Sequence, residues 1–386
     1  MIFAGGEQSM RILPVCVFAL SVLPAFGQTA APKRYANSGA PAPLPVPAVT
    51  LDFSDPKPIP GAPSSNAWAT PLLCTSDGTI VVSIPNPTDW RMPSFYALDT
   101  KGSHVLSPSS AGGIYDMQYR GSYFASDSMY GIEVTGTRDD KQEMRIFRPD
   151  KPAQKFYTGK HHEYVLEFHR DGSYRKAIEL PEQYTFWRIA PLPDDNFVAV
   201  AYDRANRIPR LLLLDSGGDV VRPIEIPQTM QDDPVLEQGQ GSDPMKRAKA
   251  ESSLSWWLFG QARGKVLLYK ARAHASVLEI GSGGAAREVP VQAPDGYELS
   301  SVVPASDRWI MQFRRSGLSD ERAVDARPDS GNFVYYEVDP NDGSLKRRID
   351  IPSKDLAGVA CEDDGVVRGF TISDGKWLEV TAELPR

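Results

Sequence analysis

The sequence predicts an all-β protein built by repeating one four-stranded antiparallel unit. Three observations predict it. Glycine and proline are plentiful, at 31 and 33 of 386 residues, while long amphipathic helical stretches are nearly absent. Residues 184–227 read as four short strands, at 186–191, 197–202, 210–215 and 220–226. Pro193-Asp194-Asp195-Asn196 joins the first two and Ser216-Gly217-Gly218-Asp219 the last two, both with the residue types that tight turns need. Finally, this pattern recurs along the chain.

Taken in order, the first segment is not fold. Arg11 gives a short positive region, and residues 12–26 are apolar but too short to span a bilayer comfortably. Ala25-Phe26-Gly27 places small residues at the −3 and −1 positions before Gln28. Residues 1–27 therefore read as a cleaved secretory signal, with Met10 as an alternative start and an uncleaved membrane anchor as the alternative role. Cys16 lies inside the apolar run, which argues against a lipoprotein anchor. Residues 28–48 are rich in proline, alanine and small polar residues and read as an extended linker. No second apolar span follows, so the mature chain is expected to be secreted or periplasmic, soluble and without a membrane span.

From residue 49 onward the repeat takes over. Outer hairpins, each two apolar strands about a Gly or Asp turn and then a proline, fall at 95–108, 164–181, 211–227, 277–294 and 334–352, with a truncated sixth at 377–385. Inner hairpins precede them: LLCTSDGTIVVSI, IYDMQYRGSYFAS, IAPLPDDNFVAVAY, WWLFGQARGKVLLYK, SVVPASDRWIMQF and GVACEDDGVVRGFTI. Such copies are the signature of a β-propeller. Residues 49–386 are expected to form six blades. The sixth lacks a fourth strand, and residues 49–53 are expected to supply it beside 377–381, since closure hides sheet edges. Two insertions break the rhythm. Residues 129–163 read as an extended hairpin, with strands at 131–137 and 144–147, or as a degenerate seventh blade. Residues 228–253 carry Ser242-Asp243-Pro244, the start signal of a short capped helix.

On this rhythm and its Asp-x-x-Gly type turns, residues 49–386 resemble a secreted bacterial six-bladed β-propeller of the broad NHL-like and TolB-like class. The resemblance implies the fold. It carries over no catalytic residue, because no functional motif of such a family is matched.

Propeller ligands bind at the channel mouth, on loops joining second to third strands and blade to blade. The first set is rich in cations although the formal charge is −7. Arg204, Arg207, Arg210, Arg272, His274 and Arg314 are the candidate ligand residues, because guanidinium groups grip carboxylate and phosphate by a two-point fork. Solvated loop residues paired with Asp203, Asp320, Glu321 or Asp325 are the bland alternative. Trp256 and Trp257 offer an aromatic wall, or packing between blades.

His161-His162-Glu163 alternates faces on a strand and makes a poor metal site. Asp232, Asp233 and Glu237 lack the oxygen spacing of a calcium loop. No metal and no cofactor are therefore expected, and acidity argues against nucleic acid. Cys74 and Cys361 occupy the same place in the first and last inner hairpins. They are either a disulfide stapling the ring or two small buried hydrophobes.

Nucleophile elbows, phosphate-binding glycine loops and His-Glu-x-x-His are all missing from the sequence. The first functional reading is a binding module for a small anion, a glycan or another protein. Its alternative is an enzyme, such as a lactone hydrolase or lyase, with a site assembled from loops. A purely structural envelope component is the third. Three or more carboxylate, His or Asn side chains converging without ion-pair partners would favour the enzyme.

Overall fold

In the computed structural model, residues 184–224 form the unit that their turn chemistry requires. Strands Tyr184–Pro191, Phe197–Asp203, Ile208–Leu214 and Val220–Ile224 pair in that order, all antiparallel. Asp215 Oδ1 accepts from the amides of Gly217 at 2.8 Å and Asp219 at 3.0 Å, which fixes the outer turn. Gly218 there has φ of 89°, and a Cβ would meet Ile178 Cγ2 at 2.5 Å, so only glycine fits. Leu211, Leu212, Leu213 and Leu214 are all buried, because this strand is covered on both faces by neighbouring blades. That is why it reads as a continuous apolar run.

The structure describes residues 46–59, 70–74, 79–84, 91–99, 102–108, 112–125, 129–138, 142–148, 151–158, 160–231, 257–270, 276–316, 332–351 and 358–386. The expected signal, nearly all of the linker, the short helix after Ser242 and the acidic run at 232–237 lie outside them.

Six blades result. Blade 1 is Thr70–Cys74, Ile80–Ile84, Ser94–Asp99 and Gly102–Leu106, and blade 2 is Tyr115–Ala125, Met129–Thr137, His162–His169 and Tyr174–Glu179. Blade 3 is the unit above. Blade 4 is Trp257–Ala262, Lys265–Lys270, Ser276–Ile280 and Ala286–Pro290. Blade 5 is Tyr297–Val303, Trp309–Arg315, Phe333–Val338 and Leu345–Asp350, and blade 6 begins Gly358–Asp363, Val366–Ser373 and Lys376–Glu383. Each inner strand neighbours the next around the ring, and that of blade 6 returns to that of blade 1. One apolar cluster fills each of the six gaps between blades. Stability is thus distributed between neighbouring sheets rather than gathered in one centre.

Closure differs in detail from the expectation. Residues 49–53 do not pair with the last blade. Strand Ala48–Thr50 instead runs parallel to Leu345–Asp350 as a fifth strand on blade 5. The chain then crosses to blade 6, where Lys57–Pro58 pairs antiparallel with Leu378 and Glu379 as the fourth strand. Leu51, 1% exposed, sits between the two in the core shared by blades 5 and 6. The reason is geometric: a parallel strand at the edge of blade 5 lets Leu51 and Phe53 face that core before the chain reaches the open edge of blade 6.

Blade 2 brings a second correction. Residues 114–126 are not a hairpin. Tyr115–Ala125 is one inner strand with two register shifts, and its partner is Met129–Thr137. Gly121 lies inside the strand rather than at a turn, a common place for glycine where a ladder is irregular. The remaining insertion, Gln142–Arg148 with Lys151–Thr158, is a separate two-stranded hairpin, not a seventh blade. Its second strand approaches the inner strand of blade 2.

Candidate binding face

One face of the ring carries the turns from second to third strands and the links from blade to blade. Blade 3 contributes Arg204, Arg207 and Arg210 in and after such a turn. Asp203 staples it: Oδ1 accepts from the amides of Ala205 at 3.1 Å and Asn206 at 2.9 Å, and Oδ2 from Asn206 Nδ2 at 2.8 Å. Burial pushes the Asp203 carboxyl up, but the Asn206 and Ala205 hydrogen bonds outweigh it and hold the group below its ordinary range. With Asp203 spent on the turn, Arg210 Nε stands 4.0 Å from its Oδ2. Arg204 Nε donates to Thr185 Oγ1 at 2.8 Å, leaving its terminal nitrogen 3.7 Å from Glu163. Arg207 is exposed, holds φ of 59°, and has no carboxylate within 4 Å among the described residues.

Deeper in the same blade is a cation that the sequence reading missed. Arg188 follows a register shift in the inner strand, between Phe186 and Arg188. Comparable shifts recur in the inner strands of blades 1, 5 and 6. Its NH1 donates to the Trp187 carbonyl at 2.7 Å. Burial pushes the Tyr269 hydroxyl up to about 12 and raises that of Tyr119, and Arg188 opposes the rise in both. A guanidinium on blade 3 thus acts electrostatically on tyrosines of blades 2 and 4. Pattern alone held no signal for it, because it depends on where the inner strand shifts register.

Blade 2 adds polar groups on the same face. Glu163 is 9% exposed and its Oε2 accepts the Phe186 amide at 2.8 Å, tying blade 2 to blade 3. Burial raises its carboxyl, and the Phe186 amide, Arg120 and Arg204 only partly counter this. Asp116 accepts Arg91 NH1 at 2.8 Å and lies 3.4 Å from His161 Nε2. On the opposite side of the strand from Glu163, His162 Nδ1 lies 2.8 Å from Glu179 Oε1 and 3.2 Å from Glu182 Oε1. Lys160 pairs with the other oxygen of Glu182. The strict alternation of His161 and His162 holds, yet His162 finds its partners across the hairpin rather than along it.

Other expected residues fall elsewhere. Arg314 ends the second strand of blade 5 on this face but is 7% exposed, with NH2 at 2.5 Å from Glu298 Oε1. Its charge is neutralised within the fold. Trp256, Arg272 and His274, and the side chain of Trp257, lie outside the described residues. Cys361 is fully buried in the core between blades 6 and 1 and is disulfide-bonded. The inner strand of blade 1, which carries Cys74, is its neighbour. The Cys74 side chain lies outside the described residues.

No protein-family model matches the chain, and no curated protein matches it in sequence. Among solved structures it is similar in fold to streptogramin B lyase, at 9% identity and a TM-score of 0.37, covering 86% of this chain and 98% of that one. It is similar to the WD40 domain of Neurospora crassa Pan2 at 8% identity and a TM-score of 0.40, covering 89% and 98%. A structure of YCF48 bound to D1 peptide matches at 10% identity and a TM-score of 0.37, covering 89% and 98%. Likenesses this distant say nothing of function.

Proposed function

We propose that the protein is an exported propeller that acts as a binding module, receiving an anionic ligand over blade 3. A small molecule, an acidic glycan or an acidic protein segment has the required chemistry. The carrying observation is the Asp203-stapled turn. It fixes the backbone beneath Arg204 and Arg207 and spends the Asp203 carboxylate on the turn itself. Arg207 also occupies a left-handed conformation that disfavours side chains, the kind of outlier that ligand clamps retain. Export is supported by the residue pattern at 11–27. The lactone hydrolase or lyase reading is weaker. The residues that do converge, around His162, lie on the outer half of blade 2, and Glu182 already has Lys160 as a partner.

The test is Arg207→Gly. Glycine relieves the backbone, so stability should hold or rise by about 1 kcal/mol. Binding of citrate, pyrophosphate and an oligogalacturonate should weaken, and wild-type affinity should fall as salt rises. Equal binding of all three probes by variant and wild type would end the reading. N-terminal sequencing of the exported protein should begin at Gln28.

A further inference from the structure

We propose that His162, Glu179 and Glu182 form a divalent-metal site that takes zinc. The register that pairs Tyr164 with Glu179, continued by two residues, sets His162 opposite Pro181 and between the two glutamates. Two of the three donors therefore sit on paired strands and the third on the short link that follows. One donor atom from each of His162, Glu179 and Glu182 lies within 4.8 Å of the others, and His162 Nδ1 stands 2.8 Å from Glu179 Oε1 and 3.2 Å from Glu182 Oε1. Donors at zinc–ligand distances of about 2.0–2.2 Å in a tetrahedron stand about 3.4 Å apart. The two histidine–glutamate separations need to open by only about 0.6 and 0.2 Å to reach it. One imidazole and two carboxylates are a zinc donor set that leaves a fourth position for water or a ligand.

A second observation points the same way. His162 Nδ1 is sealed from solvent, and its geometry to neither oxygen is that of a hydrogen bond. An Nδ1 aimed between two carboxylate oxygens without a hydrogen bond to either stands where a metal ligand atom would stand. Lys160 sits on Glu182 Oε2 and leaves Oε1 turned toward the histidine, the role of an outer-shell partner that orients a ligand.

The experiment is calorimetric titration of zinc chloride into the full chain after stripping with EDTA. One zinc per chain is expected. His162→Ala, Glu179→Gln and Glu182→Gln should each weaken binding by at least about tenfold, the loss that even an outer-shell change causes. Both glutamate side chains are 46% exposed, so their variants should fold. His161→Ala should change nothing, because that imidazole faces Asp116. Absence of zinc binding, or equal binding by Glu182→Gln and wild type, would overturn the proposal. Arg207→Gly should bind zinc normally, so this test and that of the anion reading fail separately.

Discussion

Leu51 is the point at which the closing segment is held, and Leu51→Ala measures how much the closure contributes. The side chain is 1% exposed among Val303, Ile310, Ile349, Val367 and Val380. Truncation removes three carbons, worth about 2.4 kcal/mol in transfer at ~0.8 kcal/mol each. The cavity left between two sheets that cannot collapse brings the expected loss to about 3–4 kcal/mol. At ~2.1 cal/mol/K per residue, the unfolding entropy of the Val46–Arg386 unit is roughly 0.7 kcal/mol/K, so Tm should fall by about 4–6 °C. Urea denaturation gives the free energy and calorimetry the Tm, with exposed Asp52→Ala as the control. A chain beginning at Val46 should melt like the full chain. One beginning at Ile59, without strands Ala48–Thr50 and Lys57–Pro58, should melt far lower. If Leu51→Ala stays within about 0.5 kcal/mol of wild type, the segment is a passenger and the closure argument is wrong.

Three further outcomes are expected. Arg314→Ala should destabilise by about 3 kcal/mol in urea, because it strands the largely buried Glu298 carboxylate; a silent variant would show that the pair contributes nothing to stability. Asp203→Ala should cost about 1–2 kcal/mol at pH 7. The folded Asp203 carboxyl lies below its ordinary value, so its contribution is complete above an unfolded pKa of about 3.9 and is lost as pH falls through the folded value. The gap between wild type and variant should therefore narrow as pH falls below about 3.9 and through the lower folded value, and an unchanged gap would show that the turn does not use the charge. Non-reducing peptide mapping should link Cys361 to Cys74, and a link from Cys361 to Cys16 would break that pairing.

Turn chemistry made much of the fold legible. Asp194-Asp195 and the Asp215 turn delimit blade 3 from sequence alone, because Asp side chains bond the backbone two residues on and tolerate φ above zero. Closure was not legible in detail. Lys57–Pro58 is two residues long and carries a proline, so no propensity marks it as a strand. Arg120-Gly121 resembled a turn, yet pairing with Met129–Thr137 overrode local preference. In the site, the arginines of blade 3 stood out because they are close in sequence. Glu298, which cancels Arg314, is 16 residues away on another strand. The His162 cluster could have been found, since the Asp171-Gly172 turn sets the register that brings Glu179 beside it. Sequence alternation asks only which residues share a strand face, and this cluster spans two strands and a link.

The crossing of residues 48–58 from blade 5 to blade 6 also fixes the order of events in folding. Ser54 meets Thr381 across 327 residues of chain. The segment is the first part of the propeller to be synthesised and the last to find its partners. Until it docks, the outer edges of Leu345–Asp350 and Lys376–Glu383 offer open ladders to any other strand nearby. Contacts of such sequence separation form slowly, so the final ring closure governs how long the chain stays exposed to association with its own copies. Moving residues 46–59 to follow Arg386 would make the same contacts local and shorten that window without altering a single side chain in the finished ring.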